Sequence, residues 1–478
     1  MGNSSLTALI HVLDDDSLLE VFYFCRPFLL GEDEGKNSYL WGGNGGWVRG
    51  RWWYKLSHVC QRWRTVILGS PSYLGISLVC GRGTPVADML AHSPSLPLDI
   101  EYRNQSHGLA AQDEEGAILA LKQYHRVRRV RLMLPVANLQ KLIGAMDDEY
   151  PILEYLIVAN PDGNKSSICQ FPETLRAPNL RHFVVFGFAL PMGSRLLTTA
   201  VGLVTLYLAM VHPSTYFHPN TLLRWLSFMP QLESLIVYFS YPVPNRDVER
   251  QLTHTPLTAP ITLPNLHYFH YLGVRSYSEA LFSRITTPLL ENFRILFFNQ
   301  ITFSVARLLQ FVNAIEVLTF KSAKFMFSEK DVLVDVYPHE EAEMYALSLI
   351  VFCCHLDWQV SAAAQISNSL SPAFSTVENL TLEHRVHSQS SEEHNMADRT
   401  EWRQLLGSFN NVKTLRIDEG LVEELSRCLQ LDDGELPLEV LPELQELTYP
   451  GSGNAGDGFT SFIEARQNAG RRITLVRS

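Results

Sequence analysis

Cysteine is scarce in this chain of 478 residues, and badly spaced for structural use. The seven stand at positions 25, 60, 80, 169, 353, 354 and 428, an odd set with no Cys-x-x-Cys pair. That argues against a disulfide framework and a zinc site, and points to a reducing compartment. Long apolar runs are missing too. The longest, around Tyr345 to Cys354, is too short to span hydrocarbon, and the first residues lack the basic-then-apolar order of a secretion signal. Met1-Gly2 opens like a myristoylation site, but Leu6 stands where Ser or Thr is required. The expectation is a soluble chain of the cytoplasm, the nucleus or both. Positive charge is also short: 39 Lys and Arg face 50 Asp and Glu, a formal charge of −11. Neither nucleic acid nor an anionic membrane is the partner this balance favours. The notable basic run, Arg126, Arg128, Arg129 and Arg131, interleaves with Val127, Val130 and Leu132 as one face of a strand does.

Catalytic signatures are equally thin. Gly451-Ser-Gly453-Asn-Ala-Gly456 matches a dinucleotide-binding fingerprint, but the strand that follows, Arg472 to Val476, carries no acidic residue to hold a ribose. His339-Glu340-Glu341-Ala342-Glu343 starts like a zinc-protease helix, yet Glu343 occupies the second histidine position, so it reads as a solvated acidic helix. Glu383, His384, His387 and His394 read as a surface cluster, beside an exposed loop at Ser388 to Asp398. No Gly-x-Ser-x-Gly elbow or activated cysteine is present. The expectation is a chain that is not itself an enzyme and needs no cofactor or metal.

What is present begins within the first 80 residues. With 46% hydrophobic and 11% aromatic content the chain can bury a large core, and its length exceeds one ordinary domain. Two short amphipathic helices open it. In one, Leu18, Val21, Phe22 and Cys25 recur at helical spacing; in the other Leu56, Val59, Cys60, Trp63 and Ile67 do. The acidic triplet Asp14 to Asp16 suits a helix start, where carboxylates meet unpaired N–H groups.

These residues resemble the F-box, the module by which substrate receptors dock on the Skp-type adaptor of SCF (cullin-RING) ubiquitin ligases. Leu13, Asp16, Leu18, Val21 and Phe22 fill the first half of its pattern. Val59, Cys60, Arg62, Trp63 and Arg64, with the exit Ser70-Pro71-Ser72-Tyr73-Leu74, fill the second. The run from Trp53 to Arg64 is similar to that of the large F-box families of fungi. Two departures stand out. Asp14 replaces the usual Pro, and a polar, glycine-rich insertion, residues 26–51, separates the halves. The resemblance implies that Leu13, Leu18, Val21, Phe22, Val59 and Trp63 form the core and adaptor surface. Periodicity alone leaves open which of them face inward, and Leu18 would be the clean docking test if it lies outward.

From residue 90 onward one phrase returns, Leu-x-x-Leu-x-Leu in varied form. It begins at Leu153, Leu180, Leu203, Leu232, Leu266, Leu290, Ile315, Val377, Val412 and Leu444, at intervals of 23 to 35 residues apart from one gap of 62. A degenerate member near Ala346 to Val351 fits that gap, and Val127 to Leu132 is an earlier one. Period and phrase resemble leucine-rich repeats, which implies an α/β fold of short parallel strands with returning helices. The Asn that usually follows each strand is mostly absent; position 188, for instance, is Phe. An irregular solenoid is therefore expected over 81–478, behind an F-box-like helical domain over 1–80.

Period-two alternation then selects the side chains on the open face of the strands. Phe186, Tyr207, Tyr238, His270 and Arg294 form an exposed stripe with the aromatic and Arg content of a protein-binding hot spot. The expected partners are a Skp-type adaptor and a protein substrate. The alternative is a non-catalytic repeat scaffold with a relic F-box.

Overall fold

The structure, a computed structural model, describes residues 13–25, 52–103, 108–160, 169–191, 193–211, 216–239, 259–297, 306–315, 320–385, 398–430, 439–450 and 459–477. The insertion 26–51, the glycine motif 451–456, His387 and His394 lie outside them. Two compact units divide the chain, residues 1–201 and 202–478.

Among the described residues the first unit begins with four helices: α1 (Asp15–Phe24), α2 (Trp52–Ser57), α3 (Gln61–Gly69) and α4 (Pro71–Leu74). Asp14 caps α1, its Oδ1 accepting from the Ser17 N–H at 2.7 Å. That bond, with the charge of Arg62, holds the Asp14 carboxyl below its ordinary range. Leu18, Phe22, Trp53, Val66, Ile67, Leu74, Ile76 and Leu96 close one core. Phe22 meets Trp63 edge to face at 4.9 Å. The sequence pattern ran a single helical face from Leu56 to Ile67, but the chain breaks there. Val59 donates back to Leu56 in the closing turn of α2, and Cys60 is extended (φ −156°) as it starts α3. Arg64 Nε donates to the Ser57 carbonyl at 3.0 Å, meeting an acceptor that the helix end leaves free. Leu56 and Trp63 still reach the core, so the phase of the pattern survives while its continuity does not.

Five parallel strands follow in spatial order β1 (Leu78–Gly81), β2 (Leu98–Arg103), β3 (Val127–Met133), β4 (Tyr155–Ala159) and β6 (His182–Phe186), with a small pair β5 (Cys169–Gln170) and β7 (Phe188–Ala189) beside them. The linking helices are α5 (Val86–His92), α6 (Ala111–Leu121) and α7 (Val136–Gly144), and α8 (Arg195–Thr199) ends the unit. Ile76 and Leu96 complete the helical core, and the expected boundary at residue 80 falls inside β1.

The second unit carries an eleven-strand sheet. Its order is β8 (Thr205–Val211), β9 (Ser234–Phe239), β11 (Tyr268–Gly273), β13 (Asn292–Phe297), β16 (Leu347–Phe352), β15 (Asp331–Tyr337), β14 (Ser322–Ser328), β17 (Asn379–Arg385), β18 (Thr414–Ile417), β19 (Glu446–Tyr449) and β20 (Thr474–Arg477). A small pair, β10 (Ile261–Thr262) and β12 (Ile285–Thr286), lies apart. Helices α9 (Pro219–Leu226), α10 (Arg275–Phe282), α11 (Ala306–Asn313), α12 (Leu356–Ser369), α13 (Ser371–Phe374), α14 (Arg399–Leu406), α15 (Val422–Leu429) and α16 (Thr460–Asn468) lie between strands. The phrase leucines point one way: Leu206, Leu235, Phe269, Phe293, Leu380, Leu415 and Leu447 are all buried.

One departure interrupts the parallel order. Strand β15 runs antiparallel to both neighbours, so β14, β15 and β16 form a meander within the sheet, and β16 takes the place beside β13. The degenerate phrase at Ala346 to Val351 thus lies on a strand parallel to β13. Of the phrase expected at Ile315 to Leu318, residues 316–319 lie outside the described ones, and the strand of this stretch starts at Ser322. The acidic segment His339 to Glu343 is no helix; it is the loop between β15 and β16. Among the described residues no helix is long and apolar enough to cross a membrane.

Candidate functional site

Two surfaces gather the expected residues, one in each unit. In the helical part of the first unit, Leu18 (1% exposed) and Phe22 are core, and Trp63 packs against that core. Leu18 is therefore not the outward residue. Val21 is 45% exposed, Val59 59% and Phe24 81%, and Leu13, Tyr54 and Tyr73 are also exposed. Val21 and Phe24 share one face of α1 by their three-residue spacing. Val59 lies at the break after α2, which turns it outward.

Polar contacts pin this arrangement. Arg62 Nε and Nη2 donate to Asp15 Oδ1 at 2.9 and 2.8 Å, and Nη2 also reaches the Leu13 carbonyl at 2.6 Å. The start of α1 is thereby clamped to α3. The Tyr73 hydroxyl donates to Glu20 at 2.5 Å, with its ring 5.6 Å from that of Tyr23. With Tyr23, seven large apolar side chains of these helices and their flanks are exposed among the described residues.

The open face of the second unit's sheet is built differently from its sequence expectation. Register places Tyr207, Ile236, His270, Arg294, Ser348, Asp335, Lys324, Thr381, Arg416 and Thr448 along one row across the strands. His270 is not exposed; only 1% of it meets solvent. The reason is a collar of larger side chains. Tyr238 and Tyr268 bring their hydroxyls to Nδ1 at 3.1 and 3.0 Å. On the other side Nε2 faces Asn292 Oδ1 at 3.1 Å and the Tyr345 hydroxyl at 3.2 Å.

Asn292 settles the tautomer. Its Nδ2 donates to the Tyr345 carbonyl at 2.8 Å, so Oδ1 must accept from the imidazole. Nε2 carries the proton and Nδ1 accepts from the two tyrosines. Burial, opposed by the Asn292 bond and aided by the Arg294 charge, pushes His270 down to about 3, and the ring is neutral. Burial also raises Tyr238 and Tyr268. Arg294 lies over the Tyr345 ring at 5.7 Å and donates weakly to its hydroxyl at 3.4 Å. Tyr207 stands 6.1 Å from Tyr238, ring to ring. The result is a pre-ordered aromatic wall held from behind by one buried histidine. Tyr207, Tyr238 and Arg294 lie on the open face half-buried rather than exposed.

Phe186 belongs to the first unit, where it is half-buried at the end of β6. There the open face is charged. Asp99 is buried and accepts from the Ser77 hydroxyl at 2.6 Å; burial raises its carboxyl against the pull of Arg129. Glu101 pairs with Arg103 at 2.5 Å, and burial lifts it to about 7. Arg129 sits over the Tyr155 ring at 4.7 Å, and that ring stacks on His182 at 4.4 Å, with His182 pushed by burial to about 4. Arg128 pairs with Glu154 at 3.2 Å and Arg126 donates to the Leu96 and Pro94 carbonyls at 3.1 Å, so these arginines are engaged within the unit.

Sequence reasoning missed Tyr268, Asn292 and Tyr345. The first two stand two residues before His270 and Arg294, so period two already places them on the same face. Tyr345 enters from the loop ahead of β16 and has no such signal. Among the described residues no group of three or more His, Cys, Asp or Glu is placed to hold a metal.

No protein-family model matches the chain, and no curated protein matches it. Among solved structures the chain is similar to TLR13 in its complex with ssRNA13, at 14% identity and TM-score 0.29, over 84% of this chain and 48% of that one. The chain thus spans about half the length of that protein. It is also similar to the leucine-rich repeat-containing protein LegL7 from Legionella pneumophila, at 9% identity and TM-score 0.24, over 81% of this chain and 97% of that one.

Proposed function

We propose that this chain is the substrate-recognition subunit of an SCF-type (cullin-RING) ubiquitin ligase. In this reading the helices over 13–76 are an F-box that docks on a Skp-type adaptor. The strand–helix units behind them are leucine-rich-repeat-like and hold a protein substrate, while ubiquitin transfer belongs to partner subunits. The observation that carries the proposal is the division of labour among the F-box-like positions. Leu18 and Phe22 close a core that Trp63 packs against, while Leu13, Val21 and Val59 are left outward where a partner can bury them. The tyrosine wall around His270 supports the substrate-binding half, because rigid aromatics beside an arginine lose little freedom on contact. The ligase role rests on analogy with F-box proteins.

The test is co-purification of the full chain with a Skp-type adaptor, alongside a Val21→Asp/Val59→Asp variant and a deletion of 26–51. Stable binding of the wild type, lost in the double variant while its thermal midpoint holds, is the expected result. A folded protein that ignores the adaptor with and without the insertion would sink the ligase reading. It would leave a non-catalytic interaction scaffold.

A further inference from the structure

An open groove of about 370 Å³ lies on the same sheet face, beyond the tyrosine wall, over strands β14, β15, β17, β18 and β19. Its volume is in the range of sites that take a small ligand or a short stretch of peptide. Its lining is polar, which disfavours an aliphatic side chain: hydroxyls of Ser322, Tyr337, Thr381 and Thr414 surround charged groups.

Six charged groups line the groove, Lys324, Glu340, Glu343, Glu383, Arg416 and Glu446, and Glu446 accepts from the Thr448 hydroxyl at 3.3 Å. Lys324 pairs with Glu383 at 2.6 Å, and Glu383 also meets Arg385 at 3.3 Å. Arg416 stands apart from these pairs. It is exposed on β18 between Thr381 and Thr448 in register, and its guanidinium makes no hydrogen bond or ion pair with any described residue. Five donors in a planar fork, walled by threonines, are suited to one complement above others, a carboxylate gripped by two parallel bonds. The loop between β15 and β16 supplies the opposite sign at the groove's edge. Among the described residues Glu343 there is exposed and has no partner, and Glu340 makes only a long contact of 3.5 Å with Asn379.

We infer that this groove binds an extended peptide segment that presents an acidic side chain to Arg416 and a basic side chain to Glu343. The inference rests on the open face being the substrate-holding surface, and it names the class of substrate segment taken there. Charge complementarity, with the polar lining, selects that occupant: an all-acidic segment meets repulsion at Glu340, Glu343 and Glu446, and an all-basic one meets it at Arg416 and leaves that guanidinium unmatched.

The test immobilises the full chain and selects from a display library of short random peptides, on wild type and on Arg416→Ala in parallel. Arg416 is exposed and pairs with no described residue, so the substitution leaves the fold intact, which a thermal melt checks. The expected pool is enriched in Asp or Glu beside Lys or Arg. A synthetic peptide from it should bind Arg416→Ala about tenfold more weakly. Arg416→Glu should recover binding when the peptide's acid is changed to lysine. Enrichment indifferent to Arg416, or no enrichment at all, overturns the proposal. Adaptor binding is read on the same preparation, so peptide capture without adaptor sinks the ligase reading alone, and adaptor without capture sinks this one alone.

Discussion

At the scale of single residues, His270 is where the chain departs most from its surface expectation. An imidazole shut away from solvent, with Nε2 donating towards Asn292, is held neutral chiefly by burial. Protonating Nδ1 would turn both tyrosine hydroxyls from donors into acceptors around a buried cation. His270→Gln keeps polarity but loses the ring's two-sided geometry, and should cost about 2 kcal/mol, the scale of buried partners left unmet. Burial also sets a pH dependence. His270 and His182 are held well below the ordinary 6.5, to about 3 and about 4. Between those values and 6.5 the unfolded chain binds more protons than the folded one. Stability from these two groups is complete above 6.5 and falls as pH drops towards 3. Glu101 acts in the other direction. Raised from 4.5 to about 7, it contributes stability below 4.5 that is lost as pH climbs through 7. Urea midpoints measured across this window should fall at its acid end for the wild type and less for His270→Gln. Glu101→Gln should lose the decline on the alkaline side. Identical pH profiles for all three proteins would refute this assignment.

At the scale of elements, neighbouring positions on α1 carry opposite roles. Phe22 is fully buried against Trp63, and Val21 beside it faces solvent. Phe22→Ala should cost about 3 to 5 kcal/mol through lost burial and the cavity left behind, and Val21→Ala about 0.5 kcal/mol or less. Denaturation followed by tryptophan fluorescence, with Trp63 as reporter, separates the two; equal losses would mean that Phe22 does not close the helical core. Much of this level was legible. The acidic start of α1 is its cap, and the recurring phrase lies on β4, β6, β8, β9, β11, β13, β17, β18 and β19. What sequence phase hides is continuity and direction. Leu56 and Trp63 keep one helical face although the backbone breaks at Cys60. Ser322 to Ser328 alternates as any strand does, and alternation does not say whether the partner runs parallel. The antiparallel β15 was therefore invisible, and with it the loop that brings Glu340, Glu343 and Tyr345 to the open face. Side chains such as Ile236 and His270 sit on that face as period two requires. They are buried there because tyrosines from adjacent rows close over them, a tertiary effect that no local window contains.

At the scale of the whole molecule, the cysteines test the inference that began from their scarcity. All seven are free thiols, in environments that differ sharply. Cys80, Cys169 and Cys428 are buried, while Cys25 and Cys354 are exposed. Burial pushes Cys80 up to about 12 and Cys169 to about 11, and Cys353, half-covered beside Cys354, to about 12. The thiolate is the reactive species, so burial and raised pKa act together to silence these groups at neutral pH. Titration of the native chain with a thiol reagent should therefore react Cys25 and Cys354 first. Cys80, Cys169 and Cys428 should wait for unfolding. In denaturant without reductant the count should reach seven, and adding reductant should leave the thermal midpoint where it was. A count below seven would mean that a bridge stabilises the chain, and the reducing compartment inferred from odd, unpaired cysteines would have to be given up. A native burst that includes Cys80 would instead mean that the packing over β1 opens readily, since its thiol is fully buried there.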